Sequence, residues 1–313
     1  MKLPQLEHVY QNHHLDSTRW DRYTVRDGDI VVATPYKSGT TWMQMIVFKL
    51  LHGDREDISL KNISPWIDMR MSSLDDMMSG LESQRGRRSV KTHLPLDGLP
   101  YYANASYIVV GRDARDVFMS LWNHYRNYTP ELYERVNESA GLIGAALPYC
   151  PGDIRKFWQG WTTRGQFEWE SEGYPFWANM RHVQSWWDYR HLPNILFVHF
   201  NDLLSDLEGE IQRVAAFLDI ETPKDALPSI ADAVTFKTMK SNAERIWPDF
   251  KGTFQGGAQS FSNRIQTGVG KRSLPTGTSS FTRRPSRASS RPNAGSGSST
   301  AAWRFVAYEG NHG

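Results

Sequence analysis

One cysteine, Cys150, is all the thiol chemistry the 313 residues carry, which excludes an intrachain disulfide framework and fits a reducing compartment. No apolar run approaches bilayer-spanning length, and the opening Met1-Lys2-Leu3-Pro4-Gln5-Leu6-Glu7-His8 lacks the apolar centre of a signal peptide. A soluble, cytoplasmic protein without a membrane partner is expected. Basic charge is scarce where a nucleic-acid surface would need it. Residues 264–313 hold eight Lys/Arg and one acidic residue, leaving 28 against 33 in the remainder, a net of −5 behind the overall +2. Such a mildly acidic body gives no sign of a nucleic-acid partner. A Walker A loop is missing too: it needs Gly, four residues, then Gly-Lys-Ser/Thr, whereas Lys37 precedes the glycine of its loop. His13-His14 has no neighbouring Cys and no clear ligand spacing, so solvent-facing histidines are expected there and no metal.

What is present begins with core material: 39% hydrophobic and 12% aromatic residues are enough for one large domain or two small ones. The apolar run Ile30-Val31-Val32-Ala33 reads as a buried strand and Thr41 to Leu51 as an amphipathic helix. Between them lies Thr34-Pro35-Tyr36-Lys37-Ser38-Gly39-Thr40-Thr41-Trp42. A strand-to-helix turn of this composition can cradle an anion, because unpaired backbone N–H groups and the positive end of the helix dipole converge there, with hydroxyls and an ammonium added. The competing reading is a helix merely capped by Thr40 and Thr41.

Ser89-Val90-Lys91-Thr92-His93-Leu94-Pro95 reads as a short strand ended by proline, with Lys91 and His93 on one side. A histidine at a strand end can take a proton from a substrate hydroxyl, or simply bond to backbone. Tyr107-Ile108-Val109-Val110-Gly111 is a second buried strand running into Arg112-Asp113-Ala114-Arg115-Asp116 and a helix from Val117 to Asn127. Arg112 can fork onto a phosphate and Ser120 can add a hydroxyl, unless the charges only pair among themselves at the surface. A third strand, Ile195 to Val198, precedes a helix from Leu203 to Leu218. The alternation predicts an α/β fold, a central, mostly parallel sheet flanked by helices. The Met-rich stretch from Asp54 to Arg88 suits a helical excursion whose Met and Trp side chains fill core or line an adaptable pocket. The aromatic-rich, Gly/Pro-punctuated section Pro148 to Pro175 is the expected lid and acceptor pocket, and Ala178 to Tyr189 an amphipathic helix.

Taken together, Lys37-Ser38-Gly39-Thr40-Thr41-Trp42, Lys91-Thr92-His93-Leu94-Pro95, Arg112-Asp113-Ala114-Arg115-Asp116 with Ser120, Trp186-Trp187 and Thr235-Phe236-Lys237-Thr238-Met239 resemble, in order and spacing, the cytosolic-type sulfotransferases that use 3′-phosphoadenosine 5′-phosphosulfate (PAPS). The likeness spans roughly residues 30–262. It implies a three-layer, P-loop-like fold and PAPS as co-substrate. It implies that Lys37, Ser38, Gly39, Thr40 and Thr41 hold the 5′-phosphosulfate and that Lys37 stabilises charge on the departing oxygen. By the same resemblance Arg112 and Ser120 bind the 3′-phosphate, Trp42 and Phe236 flank the adenine, His93 is the general base, and Lys91 lies beside the sulfonate. The tyrosine that often approaches the adenine falls at Phe200. In-line transfer of a sulfonate, less charged than a phosphoryl group, is served by lysines and backbone donors, so no metal is expected. The acceptor is expected to be a small, apolar or aromatic hydroxyl compound; oligomeric state is not legible.

From about Arg264 the chain turns Ser/Gly/Thr/Arg/Pro-rich and is expected to be poorly ordered, which divides it into a sulfotransferase domain at 1–263 and an atypical tail at 264–313. The resemblance implies an Arg-Lys-Gly or Asn-Lys-Gly phosphate grip and a Gly-x-Trp-Lys segment here, and neither is present. A shifted reading frame just before Ile265 would restore Thr-Asn-Gly-Arg-Trp-Lys from permissible codons. A genuine divergent tail is the alternative, and coding DNA that cannot yield that reading would exclude the shift. A real tail would remove one clamp from the cofactor site and leave two readings, an active PAPS-dependent sulfotransferase or a catalytically impaired PAPS- or PAP-binding protein; metal-dependent ATP turnover would instead revive a kinase reading.

Overall fold

The computed structural model describes residues 2–55, 59–138, 143–246, 252–255 and 257; the tail at 264–313 and its frame-shift hypothesis lie outside them. Four strands, β1 (Ile30–Ala33), β2 (Ser89–Thr92), β3 (Ser106–Gly111) and β4 (Ile195–His199), form a sheet in the order β2-β1-β3-β4. Every pairing is parallel, with Val31 opposite Val90 and Tyr107, and Val109 opposite Phe197. Successive side chains of β1 go to opposite faces: Val31 and Ala33 join one buried cluster, Ile30 and Val32 another. Burial on both faces is why these strands read as continuous apolar runs.

Helices cover both faces. α1 (Thr40–His52) follows β1; α2 (Leu60–Ile63) and α3 (Leu74–Ser83) lie in the excursion before β2; α4 (Ala114–Tyr125) follows β3. Then come α5 (Pro130–Asn137), α6 (Ile154–Thr163), α7 (Asn179–Trp187), α8 (Phe200–Ser205), α9 (Leu207–Phe217), α10 (Leu227–Ala233), α11 (Phe236–Ser241) and α12 (Ala243–Ile246). α4, α6 and α7 pack their apolar sides with Val31 and Val109, whereas α1, α9 and α10 pack with Ile30 and Val32. The result is the expected α/β, three-layer arrangement.

Several boundaries differ from expectation for local reasons. α4 begins at Ala114 because Asp113 caps it, accepting from Arg115 N–H at 2.9 Å, so Ser120 stands in its second turn. The single helix expected from Leu203 to Leu218 is two: Asp206 leaves the helical conformation (φ -148°, ψ 76°) and its side chain accepts from Gly209 N–H, starting α9 afresh. Pro148 to Pro175 contains α6, whose Phe157 and Trp161 are core. His13 and His14 face inward, 0% and 3% exposed, against the expectation of solvent-facing histidines. Hydrogen-bond partners at their ring nitrogens make that burial tolerable.

Candidate active site

The chain runs outward from β1 to β2, then returns to place β3 on the other side of β1, so a crevice opens beyond the carboxyl ends of the strands, where α/β sheets bind ligands. The turn after β1 is conformationally special. Lys37 has φ 65° and Gly39 φ 106°, both left-handed, and a Cβ at Gly39 would stand 2.9 Å from the Phe200 ring. Gly39 is the N-cap of α1, and no side chain caps that helix. Thr40 Oγ1 instead bonds Thr34 Oγ1 at 2.5 Å, so the capping reading of Thr40 fails and the first turn of α1 is left facing the crevice.

His93 follows β2. Its Nδ1 is 2.8 Å from the Thr34 carbonyl, which can only accept, so Nδ1 carries the proton and Nε2 the lone pair. Burial, with Lys91 and Lys37 adding repulsion, pushes its pKa well below the usual histidine value and keeps the ring neutral. Lys91 lies on β2 with Nζ 4.8 Å from the centroid of Trp66. Burial lowers it to about 8. The Pro65–Ile67 segment docks against Lys91 through two backbone hydrogen bonds, which brings the Met-rich excursion to the crevice. Trp66, Met69, Met71 and Met77 therefore line the cavity, the less expected of the two uses read for them.

Lys37 is buried, and desolvation followed by repulsion from Arg112 and Lys91 lowers its pKa to about 7. Its Nζ lies 3.3 Å from His124 Nδ1; His124 Nε2 is 2.8 Å from the Tyr36 hydroxyl, which is 3.2 Å from that of Tyr128. Sequence reasoning missed His124, Tyr36 and Tyr128. A signal existed, since Ser120, His124 and Tyr128 recur every four residues along α4 and its continuation.

Arg112, at the exit of β3, donates to the Lys37 carbonyl at 3.2 Å and stacks 4.1 Å over the Phe200 ring. Its Nε, together with Ser38 Oγ and Trp42 Nε1, is buried without a hydrogen-bond partner among the described residues. Orphaned donors are costly unless a ligand satisfies them, and Trp42 and Arg112 line the cavity where one would bind. Trp42 and Phe236 face each other with centroids 4.4 Å apart, and Phe200 packs edge-on to Trp42.

A cavity of about 870 Å³ joins these parts. Lys37, Gly39, Thr40, Thr41, Trp42, Lys91, His93, Arg112, Ser120 and Phe236 all line it. Ser38 does not; its side chain is fully buried beneath the loop. The lining also contains no residue from 148–175, so the expected lid section does not form this pocket; the excursion before β2 does, with Leu132 and Phe254. A side-chain group near enough to share a cation, Glu7, His8 and Asp97, stands outside the cavity, with Asp97 already engaged by Tyr10 and Arg181.

The family described as "Sulfotransferase domain" matches residues 27–271. A glycolipid sulfotransferase of Mycobacterium tuberculosis is 33% identical over 258 residues, covering 77% of this chain and 78% of that protein. Human sulfotransferase 1E1 is 28% identical over 237 residues, covering 71% of each. Among solved structures, retinol dehydratase in complex with androsterone and the inactive cofactor PAP superposes with TM-score 0.64 at 21% identity, covering 82% of this chain and 79% of that one. The chain belongs to the sulfotransferase family, and the fold is that of its solved members.

Proposed function

We propose that this family member transfers a sulfonate from PAPS to a hydroxyl of an apolar or aromatic small molecule. One observation carries the nucleotide assignment: Trp42 Nε1 and Arg112 Nε, buried donors without partners among the described residues, belong to residues that line the cavity beside an uncapped helix start. The donor set fits an anion with an aromatic base, because it combines ammonium, guanidinium, hydroxyl and backbone donors with the Trp42 and Phe236 rings. PAPS, when bound, supplies the activated sulfonate.

His93 Nε2 takes the proton from the acceptor hydroxyl, since its Nδ1 proton is held by Thr34. Lys37 meets the leaving oxygen, and Lys91 adds charge beside the transferred group. Arg112 and Ser120 hold the 3′-phosphate, and Trp42 and Phe236 the adenine. No step calls for a metal. The apolar half of the cavity, with Trp66, Met69, Met71, Met77 and Phe254, receives the acceptor.

The test is sulfonate transfer from PAPS to a panel of phenols and alcohols, with His93→Ala alongside. Transfer by the wild type, with kcat lowered at least about a hundredfold in the variant, is expected for loss of the base. A folded wild type that binds PAP but transfers to no acceptor supports the second reading, a nucleotide-binding protein impaired by its tail, which the absence of the expected phosphate-gripping segment favours.

A further inference from the structure

His13 and His14 stand apart from every motif that identified the site, yet their hydrogen bonding is fully determined. His13 Nε2 lies 2.8 Å from the Pro175 carbonyl, so it must carry a proton. Burial holds His13 neutral, with a pKa lowered to about 4. Its Nδ1 is therefore a bare acceptor, and the hydrogen bond between the two Nδ1 atoms is donated by His14. A neutral His14 protonated at Nδ1 has its lone pair at Nε2. The Asn12 side chain fixes the backbone beneath, accepting from the N–H groups of His14 and Leu15 at 2.8 Å.

His14 lines the same cavity as His93. Both rings pack on Trp177, at centroid distances of 6.2 and 5.8 Å. Two neutral imidazoles, each locked by a carbonyl-terminated relay into the tautomer with a bare Nε2, thus stand in one mainly apolar cavity. His14 Nε2 is not one of the sealed, unpartnered side-chain atoms, so the relay ends in an acceptor on a residue that lines the cavity, which a pair serving only to fill core would not need.

We propose that His14 Nε2 is a second anchor in the acceptor cavity, selecting hydroxylated compounds that carry a further hydroxyl donor apart from the one sulfonated at His93. The proposal rests on the transferase reading for the role of His93, while the anchor itself is a binding property and can be measured without turnover. The substrate class is then a diol or polyol on an apolar frame.

The experiment compares 4-(2-hydroxyethyl)phenol and 4-(3-hydroxypropyl)phenol with 4-ethylphenol and 4-propylphenol, using the PAP complex of the wild type, His14→Asn and His14→Phe. Asparagine keeps a δ-nitrogen donor for His13 and removes the ε nitrogen; PAP titration reports whether each variant is folded. Binding is read from tryptophan fluorescence, where Trp66 and Trp177 report, and transfer from the rate with PAPS. The wild type is expected to favour a hydroxyalkyl compound over its alkyl counterpart by about tenfold or more. In both variants that ratio falls to about one. A ratio near one in the wild type, or one retained in His14→Asn, overturns the anchor. Absence of transfer with the binding ratio intact would overturn the transferase reading and leave the anchor standing.

Discussion

Lys37 Nζ lies 3.3 Å from His124 Nδ1, and His124 Nε2 lies 2.8 Å from the Tyr36 hydroxyl. Lys37 as an ammonium can only donate, so Nδ1 then accepts, Nε2–H donates to Tyr36, and the Tyr36 and Tyr128 hydroxyls share the next hydrogen bond. The lysine assigned to the leaving oxygen is thereby oriented by a polar relay. His124→Phe, which keeps a ring and removes the acceptor, is expected to lower kcat about five- to tenfold, the worth of one net hydrogen bond, with PAP affinity little changed. Measured kcat equal to the wild type would show that the relay positions nothing.

The lysines also make anion binding a proton-uptake reaction. In the free protein burial lowers Lys37 to about 7 and Lys91 to about 8, so at pH 8 the first is mostly neutral and the second about half protonated. A bound phosphate or sulfonate raises both. Calorimetry of PAP binding at pH 8 in buffers of different ionisation enthalpy is therefore expected to show uptake of about one to one and a half protons. Lys37→Met should remove most of it, and zero uptake by the wild type would contradict the lowered values.

With the adenine between Trp42 and Phe236, as proposed, Phe236 must move when the nucleotide enters. Its centroid is 4.4 Å from that of Trp42, whereas a base stacked between two rings needs about 7 Å, twice a carbon contact distance. Phe236→Ala is expected to weaken PAP binding about five- to a hundredfold, the range of one base–aromatic stack. Unchanged affinity would place the adenine elsewhere.

Burial of neutral histidines sets the acid limit of stability. His13, His14, His93, His124 and His182 are all buried with lowered pKa values, His13 to about 4 and His182 to about 3. The unfolded chain protonates each near 6.5, whereas the folded chain resists until lower pH. Stability is thus fully present above 6.5 and lost as pH falls below it, each group contributing up to about 1.4 kcal/mol per pH unit. Urea unfolding at pH 7 and pH 5 should show the loss, with a shallower slope in His182→Phe; equal stability at both pH values would refute it.

At the opposite end of the sheet, Arg88 and Asp29 form a buried pair, 0% and 1% exposed, with Tyr23 donating to Asp29 at 2.6 Å. Arg88→Met strands the carboxylate and is expected to cost about 3–5 kcal/mol in urea unfolding. A loss under about 1 kcal/mol would mean that the pair is dispensable.

The sheet and the anion loop were legible in the sequence because strands buried on both faces leave unbroken apolar runs, and because Lys37, Gly39 and Arg112 sit where strands end. Lys91 and His93 were legible on one side of a short strand, Phe236 came only through resemblance, and all three line the cavity. The acceptor side was not legible. Trp66 and the methionines reach it only because a backbone pairing beside Lys91, which no periodicity announces, docks their segment on β2. His14 was misplaced for the converse reason: its burial depends on His13 and the Pro175 carbonyl, a partner 162 positions away from His13.

Calorimetric titration with PAP, with and without a chelator, of the wild type and Arg112→Ala tests the nucleotide site most directly. Metal-independent binding, weakened about ten- to a hundredfold by the substitution through loss of one charge-assisted phosphate contact, is the predicted result. A folded wild type that does not bind PAP, or binding indifferent to Arg112→Ala, would contradict the site.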